Sequence, residues 1–194
     1  MALLSPAARQ GTGPLARLMR EGGLYCVFQP LADLREGQVY AHEALIRGPQ
    51  NTPLHTPDKL LELARHEGIL QDFELLRVYT AMEQWGRHDA PGRLFVNISA
   101  DALVHGVQLI GATELGNTVR SLGLSARMLV LEITESQLMQ DCTSTLIALR
   151  ELGSLGVRLA LDDFGTGYSS LGYLKRFPLH ILKVDKSFIG GSDA

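Results

Sequence analysis

The side chains with chemistry to offer are Glu43, Asn97, Glu132, Asp162, Asp163, Lys183 and Asp185. All but Glu43 sit at or near the end of a short apolar run. Arg93–Ile98 (RLFVNI) carries Asn97, and Met128–Thr134 (MLVLEIT) carries Glu132. Val157–Leu161 (VRLAL) runs into Asp162 and Asp163, and His180–Val184 (HILKV) carries Lys183 and precedes Asp185. Adjacent carboxylates repel unless positive charge lies between them, and a divalent metal is the usual source. A single strand-end acid also serves as a cap for the next helix. A series of them on successive strands is a stronger signal, because clustered carboxylates without a cation strain a fold. Asn97 adds a neutral oxygen, so the set suits Mg²⁺, Mn²⁺ or Ca²⁺ better than a thiolate-loving metal. Lys183 can neutralise the cluster, or hold an attacking water or a phosphate oxygen.

These residues need strands that end on one side. Leu24–Leu31 (LYCVFQPL) reads as a strand, Asp33–Gly37 as a turn, and Gln38–Ile46 (QVYAHEALI) as a second strand that Gly48–Pro53 breaks. The short turn predicts a hairpin, hence one antiparallel pair. Helical patterns follow at Lys59–His66 and along Phe73, Leu76, Met82 and Trp85, with Gly68 between them; Met82 and Trp85 read as core. Further helices are expected at Gln108–Leu122 and Leu138–Leu155, with Ser99 and Asp101 as helix-start residues. From Arg93 onward the order is strand, helix, strand, helix. The non-alternating runs MLVLEI and VRLAL fit parallel strands covered by helices. In such a (β/α) arrangement the C-terminal strand ends are where chemistry is assembled.

The whole-chain properties exclude other classes. The 194 residues suffice for one domain, and 45% hydrophobic with 20% charged residues is a globular balance. A net charge of −3 and a pI near 6.1 argue against a nucleic-acid platform, and no apolar run approaches a membrane span. Cys26 and Cys142 lack metal spacing and read as reduced structural thiols, which fits the cytoplasm. Residues 1–13 read as a linker before a short helix, Pro14–Arg20.

Six segments in order give the chain a family resemblance: FQP at Phe28–Pro30, HEALIRGP around Glu43-Ala44-Leu45, NIS at Asn97–Ser99, LEITES at Leu131–Ser136, DDFGTGYSSLGYL at Asp162–Leu174 and LKVDKSFI at Leu182–Ile189. In these the chain resembles the EAL-domain family, the bacterial cyclic-di-GMP phosphodiesterases. The resemblance implies a modified (β/α)8 barrel with one antiparallel strand, and hydrolysis of cyclic-di-GMP to linear pGpG with two Mg²⁺ or Mn²⁺ ions. It implies that Glu43, Asn97, Glu132 and Asp162 hold the first ion and that Asp162 and Asp163 contribute to the second. By the same match Lys183 contacts the catalytic water, with Asp185 the acid of its motif. Gln29, Leu45 and Arg47 contact the dinucleotide, and Glu135 steadies the loop after the aspartate pair. The AEGVE-like glutamate and QGY-like glutamine of the family's last two strand–helix units do not occur here. The expected object, residues 14–194, is therefore a partial TIM-like α/β barrel with about six of eight strands. Its open edges would be covered by a second copy or a partner domain. With the second-ion glutamate missing, this chain alone is expected to turn over little cyclic-di-GMP. A non-catalytic cyclic-di-GMP-binding or regulatory module stays open as the alternative.

Overall fold

The computed structural model describes residues 6–88, 92–138, 142–165 and 175–185. Its centre is a six-stranded sheet in the order β1 to β6: Tyr25–Asp33, Gln38–Arg47, Arg93–Asn97, Leu129–Thr134, Arg158–Phe164 and Ile181–Val184. β1 and β2 pair antiparallel, as the short turn predicts, and every later pairing is parallel. The turn is closed by Asp33, whose Oδ1 accepts from the backbone N–H of Arg35 at 2.8 Å. Among the described residues the sheet stays open, with β1 and β6 as its edges. Val27 on β1 and Leu182 and Val184 on β6 are exposed there.

The helices are α1 Pro6–Gln10, α2 Pro14–Glu21, α3 Pro57–His66, α4 Leu70–Arg87, α5 Ala100–Ile110, α6 Ala112–Ser121, α7 Glu135–Leu138 and α8 Cys142–Ser154. α1 lies within the stretch read as a linker and buries Ala8. α2 is fastened by Glu67, whose carboxylate accepts from the N–H groups of Leu15 (2.8 Å) and Ala16 (3.0 Å), two of the donors a helix start leaves unpaired. α3 and α4 part at Gly68, which has φ +69°.

One helix expectation is corrected. In place of Gln108–Leu122 there are two helices, α5 and α6, which meet at Gly111. Ser99 starts α5 by accepting from Ala102 N at 3.2 Å. Gly106 interrupts the apolar pattern inside α5 for a packing reason: a Cβ there would stand 2.6 Å from the Leu75 side chain on α4. Strand ends shift by a few residues. The largest change is β5, which continues past Leu161 through both aspartates to Phe164. Of the DDFGTGYSSLGYL match, residues 166–174 lie outside the described residues.

The two faces of the sheet differ. Its outer face (Ala44, Ile46, Leu94, Val96, Leu131, Ile133, Leu159, Leu161) packs on the helices in one large apolar core with Phe73, Met82 and Trp85. Burying each large side chain of this kind contributes roughly 1.5–3 kcal/mol. His42 also faces this side, its ring 4.9 Å from that of Trp85. Strand neighbours point to opposite faces, so Glu43 faces the inside.

The inner face has two layers. Ala41, Phe95, Val130 and Ala160, flanked by Leu31 and Ile181, form a small apolar cluster. Toward the C-terminal ends of the parallel strands, the next residue on that face of each strand is Glu43, Asn97, Glu132, Asp162 and Lys183, with Gln29 opposite Glu43 on antiparallel β1.

Candidate functional site

The upper inner layer draws together residues far apart in the chain. Lys183 Nζ lies 2.6 Å from Glu132 Oε1, 3.4 Å from Glu43 Oε2 and 3.4 Å from Asp162 Oδ1. Asn97 Nδ2 donates to Glu43 Oε1 at 2.9 Å. Four parallel strands and one strand of the hairpin thus supply one group each, and register sets their heights. Asn97 is level with Glu132, while Asp162 stands level with Thr134, one pleat higher.

Two aspartates in succession cannot face one way in a regular strand, because alternate residues alternate faces. Here the β5–β6 register shifts between Leu161 and Phe164, a bulge. Asp163 takes φ +53°, rare for a residue with a Cβ, and its N–H donates to Asp162 Oδ1 at 3.0 Å. Phe164 consequently packs with the outer core. Gly165 follows at φ +103°, and its N–H donates to Glu135 Oε2 at 3.1 Å. Glu135 is buried at the start of α7. The loop expectation for Glu135 falls on this bond. Asp185 is half-buried, and its N–H donates to Phe164 O at 3.3 Å.

The electrostatics follow from the crowding. Burial pushes the Glu132 carboxyl up from 4.5 to about 7, against the opposing pull of Lys183. Burial alone would lower Lys183, but the hydrogen bond and charge of Glu132, with Glu43 and Asp162, hold its ammonium above the ordinary lysine value. Asp163 is raised by partial burial and by the negative charges of Asp162 and Asp185.

Among the described residues no three acids, histidines or cysteines close into a ready-made cation cage. The carboxylates meet on the Lys183 ammonium. The donor set nonetheless fits a hard cation. Glu132 is fully buried, and neither of its oxygens receives a hydrogen bond of regular geometry, although Lys183 stands close to one. A buried carboxylate in that state lacks acceptors' usual partners and is costly to keep ionised.

The remaining expected residues lie around this layer. Gln29 is exposed on edge strand β1. Leu45, two residues beyond Glu43, lines an open pocket with Arg65, Glu74, Arg77, Asn97 and Glu132. Arg47 is half-buried, and its Nη1 donates to Ile46 O at 2.9 Å. The sequence reading passed over Glu74 and Arg77, two buried charges on α4. The signal was there: charged residues at i and i+3 in a helix otherwise read as an apolar stripe.

A family model described as "EAL domain" matches residues 14–194. The chain belongs to the EAL domain family. NbdA, a cyclic di-GMP phosphodiesterase of Pseudomonas aeruginosa, is 39% identical over 181 residues, which are 90% of this chain and 23% of NbdA. The chain spans about a quarter of the length of the curated EAL relatives it matches. The PaMucR phosphodiesterase, solved in complex with c-di-GMP, superposes with a TM-score of 0.74 at 34% identity, over 89% of this chain and 74% of that one. Klebsiella pneumoniae BlrP1, solved with manganese and c-di-GMP, superposes at 0.76 with 26% identity, over 86% of this chain and 41% of that one. The open six-stranded sheet with its antiparallel first pair is the corresponding portion of the EAL TIM-like barrel. No helix among the described residues is long and apolar enough to cross a membrane.

Proposed function

We propose that this EAL domain binds cyclic-di-GMP at the C-terminal mouth of its sheet and is of the phosphodiesterase kind that hydrolyses it to linear pGpG with Mg²⁺ or Mn²⁺, with slow turnover by these 194 residues alone because the second-ion glutamate is not among them. The observation that carries the reading is the convergence of Glu43, Glu132 and Asp162, each from a different strand, within 3.4 Å of one ammonium nitrogen. Glu43, Asn97, Glu132 and Asp162 would hold the first ion, and Asp162 and Asp163 would contribute to the second. Bound divalent ions supply Lewis-acid activation of a phosphodiester and of water. Lys183 would then be displaced from the carboxylates and hold the hydrolytic water, with Asp185 beside it in the motif. Gln29, Leu45 and Arg47 orient the dinucleotide; the arginine fork suits two phosphate oxygens at once. Glu135 keeps the aspartate loop in place through Gly165. The domain is taken as residues 14–194, acting in the cytoplasm where its substrate is made. A second copy or a partner domain covers the open edges.

A second reading is favoured by Lys183 itself. An ammonium already balances the carboxylates, so a binding module that never loads metal is the alternative. Calorimetry of the 194-residue chain with cyclic-di-GMP, with and without Mn²⁺, and chromatography for pGpG decide between them. Metal-dependent binding with pGpG formation supports the phosphodiesterase. Binding that is independent of Mn²⁺ and without turnover supports the module. No binding in either condition defeats both.

A further inference from the structure

The backbone that carries Asn97 is held by a pair of buried charges that no step above uses. Arg77 and Glu74, on α4, are 8% and 5% exposed and lie 3.3 Å apart. Such a pair is an expensive way to fill space, since apolar residues of similar size are often as good or better for stability. What it touches is specific. Arg77 Nη2 donates to the backbone carbonyl of Asn97 at 2.6 Å. Glu74 Oε2 accepts from Ser99 Oγ, and the same Oγ accepts from Ala102 N to cap α5. Between these two anchors, Ile98 N–H donates to Glu132 O at 2.9 Å. Three successive residues at the end of β3 are thus each tied down, two of them by the α4 pair. The Asn97 amide, turned by its Nδ2 bond to Glu43, makes no hydrogen bond through Oδ1 among the described residues.

We propose that the Glu74–Arg77 pair is a positioning device for the cation site. It fixes the end of β3 so that the Asn97 side chain stays level with Glu132 and beside Glu43, and the metal therefore meets a neutral ligand whose backbone is already in place. This rests on the reading of Asn97 as a cation ligand. Arg77 and Glu74 act through Asn97 and Ser99, the groups they hydrogen-bond. Both contacts of Arg77 run through Nη2, whose two N–H groups reach a carboxylate and a carbonyl at once on a planar, rigid head; a lysine ammonium on a flexible stem holds that geometry poorly.

The test is Mn²⁺ titration by calorimetry and by electron paramagnetic resonance on the 194-residue chain, beside thermal unfolding without metal. Arg77→Met alone strands Glu74 in the interior and should lower the melting temperature. The double variant Glu74→Leu/Arg77→Met removes both charges and should restore melting. Its Mn²⁺ affinity should still be about 10- to 100-fold weaker, the usual effect of losing a partner that orients a ligand. Arg77→Lys should keep the charge and recover only part of the affinity. A double variant that folds and binds Mn²⁺ within about twofold of wild type overturns the inference and leaves the cation reading standing. A wild-type chain that binds no Mn²⁺ overturns the cation reading itself, and this inference with it.

Discussion

The two inner layers of the sheet are built on the same strands and do opposite work. The lower layer, around Phe95 and Val130, is apolar, close-packed and fully buried. The upper layer, one pleat away, gathers three carboxylates, the fully buried Glu132 among them, around one ammonium. The lower layer gains stability from burial. The upper one sets three carboxylates against the single ammonium of Lys183, and burial raises its Glu132 carboxyl to about 7. The contrast shows how cheaply a barrel moves from structure to chemistry: two residues along a strand suffice, because the side chain keeps its face and only its height changes.

Mutations should separate the layers. Phe95→Ala, in the lower layer, should cost about 3–5 kcal/mol in urea unfolding, and the surviving folded fraction should retain its Mn²⁺ affinity. If stability is unchanged, the lower layer is not the support it is taken to be. Glu43→Ala, in the upper layer, should show the reverse. Its ion pair with Lys183 is partly exposed and contributes less than about 1 kcal/mol. Cation affinity, however, should fall by at least the roughly 10- to 100-fold that even supporting partners contribute. Unaltered Mn²⁺ binding in that variant would remove Glu43 from the ligand set.

The third prediction concerns pH. Glu132 is raised from 4.5 to about 7 in the folded chain. Between those values the folded state holds a proton that the unfolded state has lost. Glu132 therefore stabilises the metal-free chain less as pH climbs through that window. A cation must displace the same proton, so Mn²⁺ affinity should rise toward pH 7 by up to about tenfold per unit and then level off. Titrations in buffers of different ionisation enthalpy should detect the released proton below 7 and lose it above. A flat profile would mean that Glu132 is ionised throughout. The smallest effect is expected at the exposed edge. Gln29→Ala should leave melting and Mn²⁺ affinity within error, while weakening cyclic-di-GMP binding by about 0.5–1.5 kcal/mol, the contribution of one hydrogen bond. An unaffected dinucleotide affinity would take Gln29 out of the binding surface.

Much of this arrangement was legible in the sequence. Period-two patterning placed Glu43 inside and His42 outside, and the apolar runs ending in Asn97 and Glu132 announced the upper layer. Two features were not legible, for physical reasons. The bulge that lets Asp162 and Asp163 share the mouth depends on the register with β6 and on a positive φ at an aspartate, and neither is a local propensity. The division of one expected helix at Gly111 was hidden because the residues on both sides of that glycine continue a helical pattern. Gly106 is helical and serves the close approach of Leu75. Glu74 and Arg77 were missed for a related reason: on a helix, charge reads as solvent exposure until tertiary packing shows otherwise.

The span of the Lys183–Glu43 contact has a kinetic consequence. The two residues are 140 positions apart, and the strands of Asn97, Glu132 and Asp162 lie between them in the sheet. Contacts of such high sequence separation form late and slow folding. The site therefore cannot exist on a half-folded sheet, and ion uptake during refolding would time the assembly of β2 to β5. A bound ion would then act as a reversible clasp across β2, β3, β4 and β5, the strands that carry Glu43, Asn97, Glu132 and Asp162. By mass action it would add about 2.7 kcal/mol to stability at a hundred times its dissociation constant, and it would slow the parting of the four inner strands.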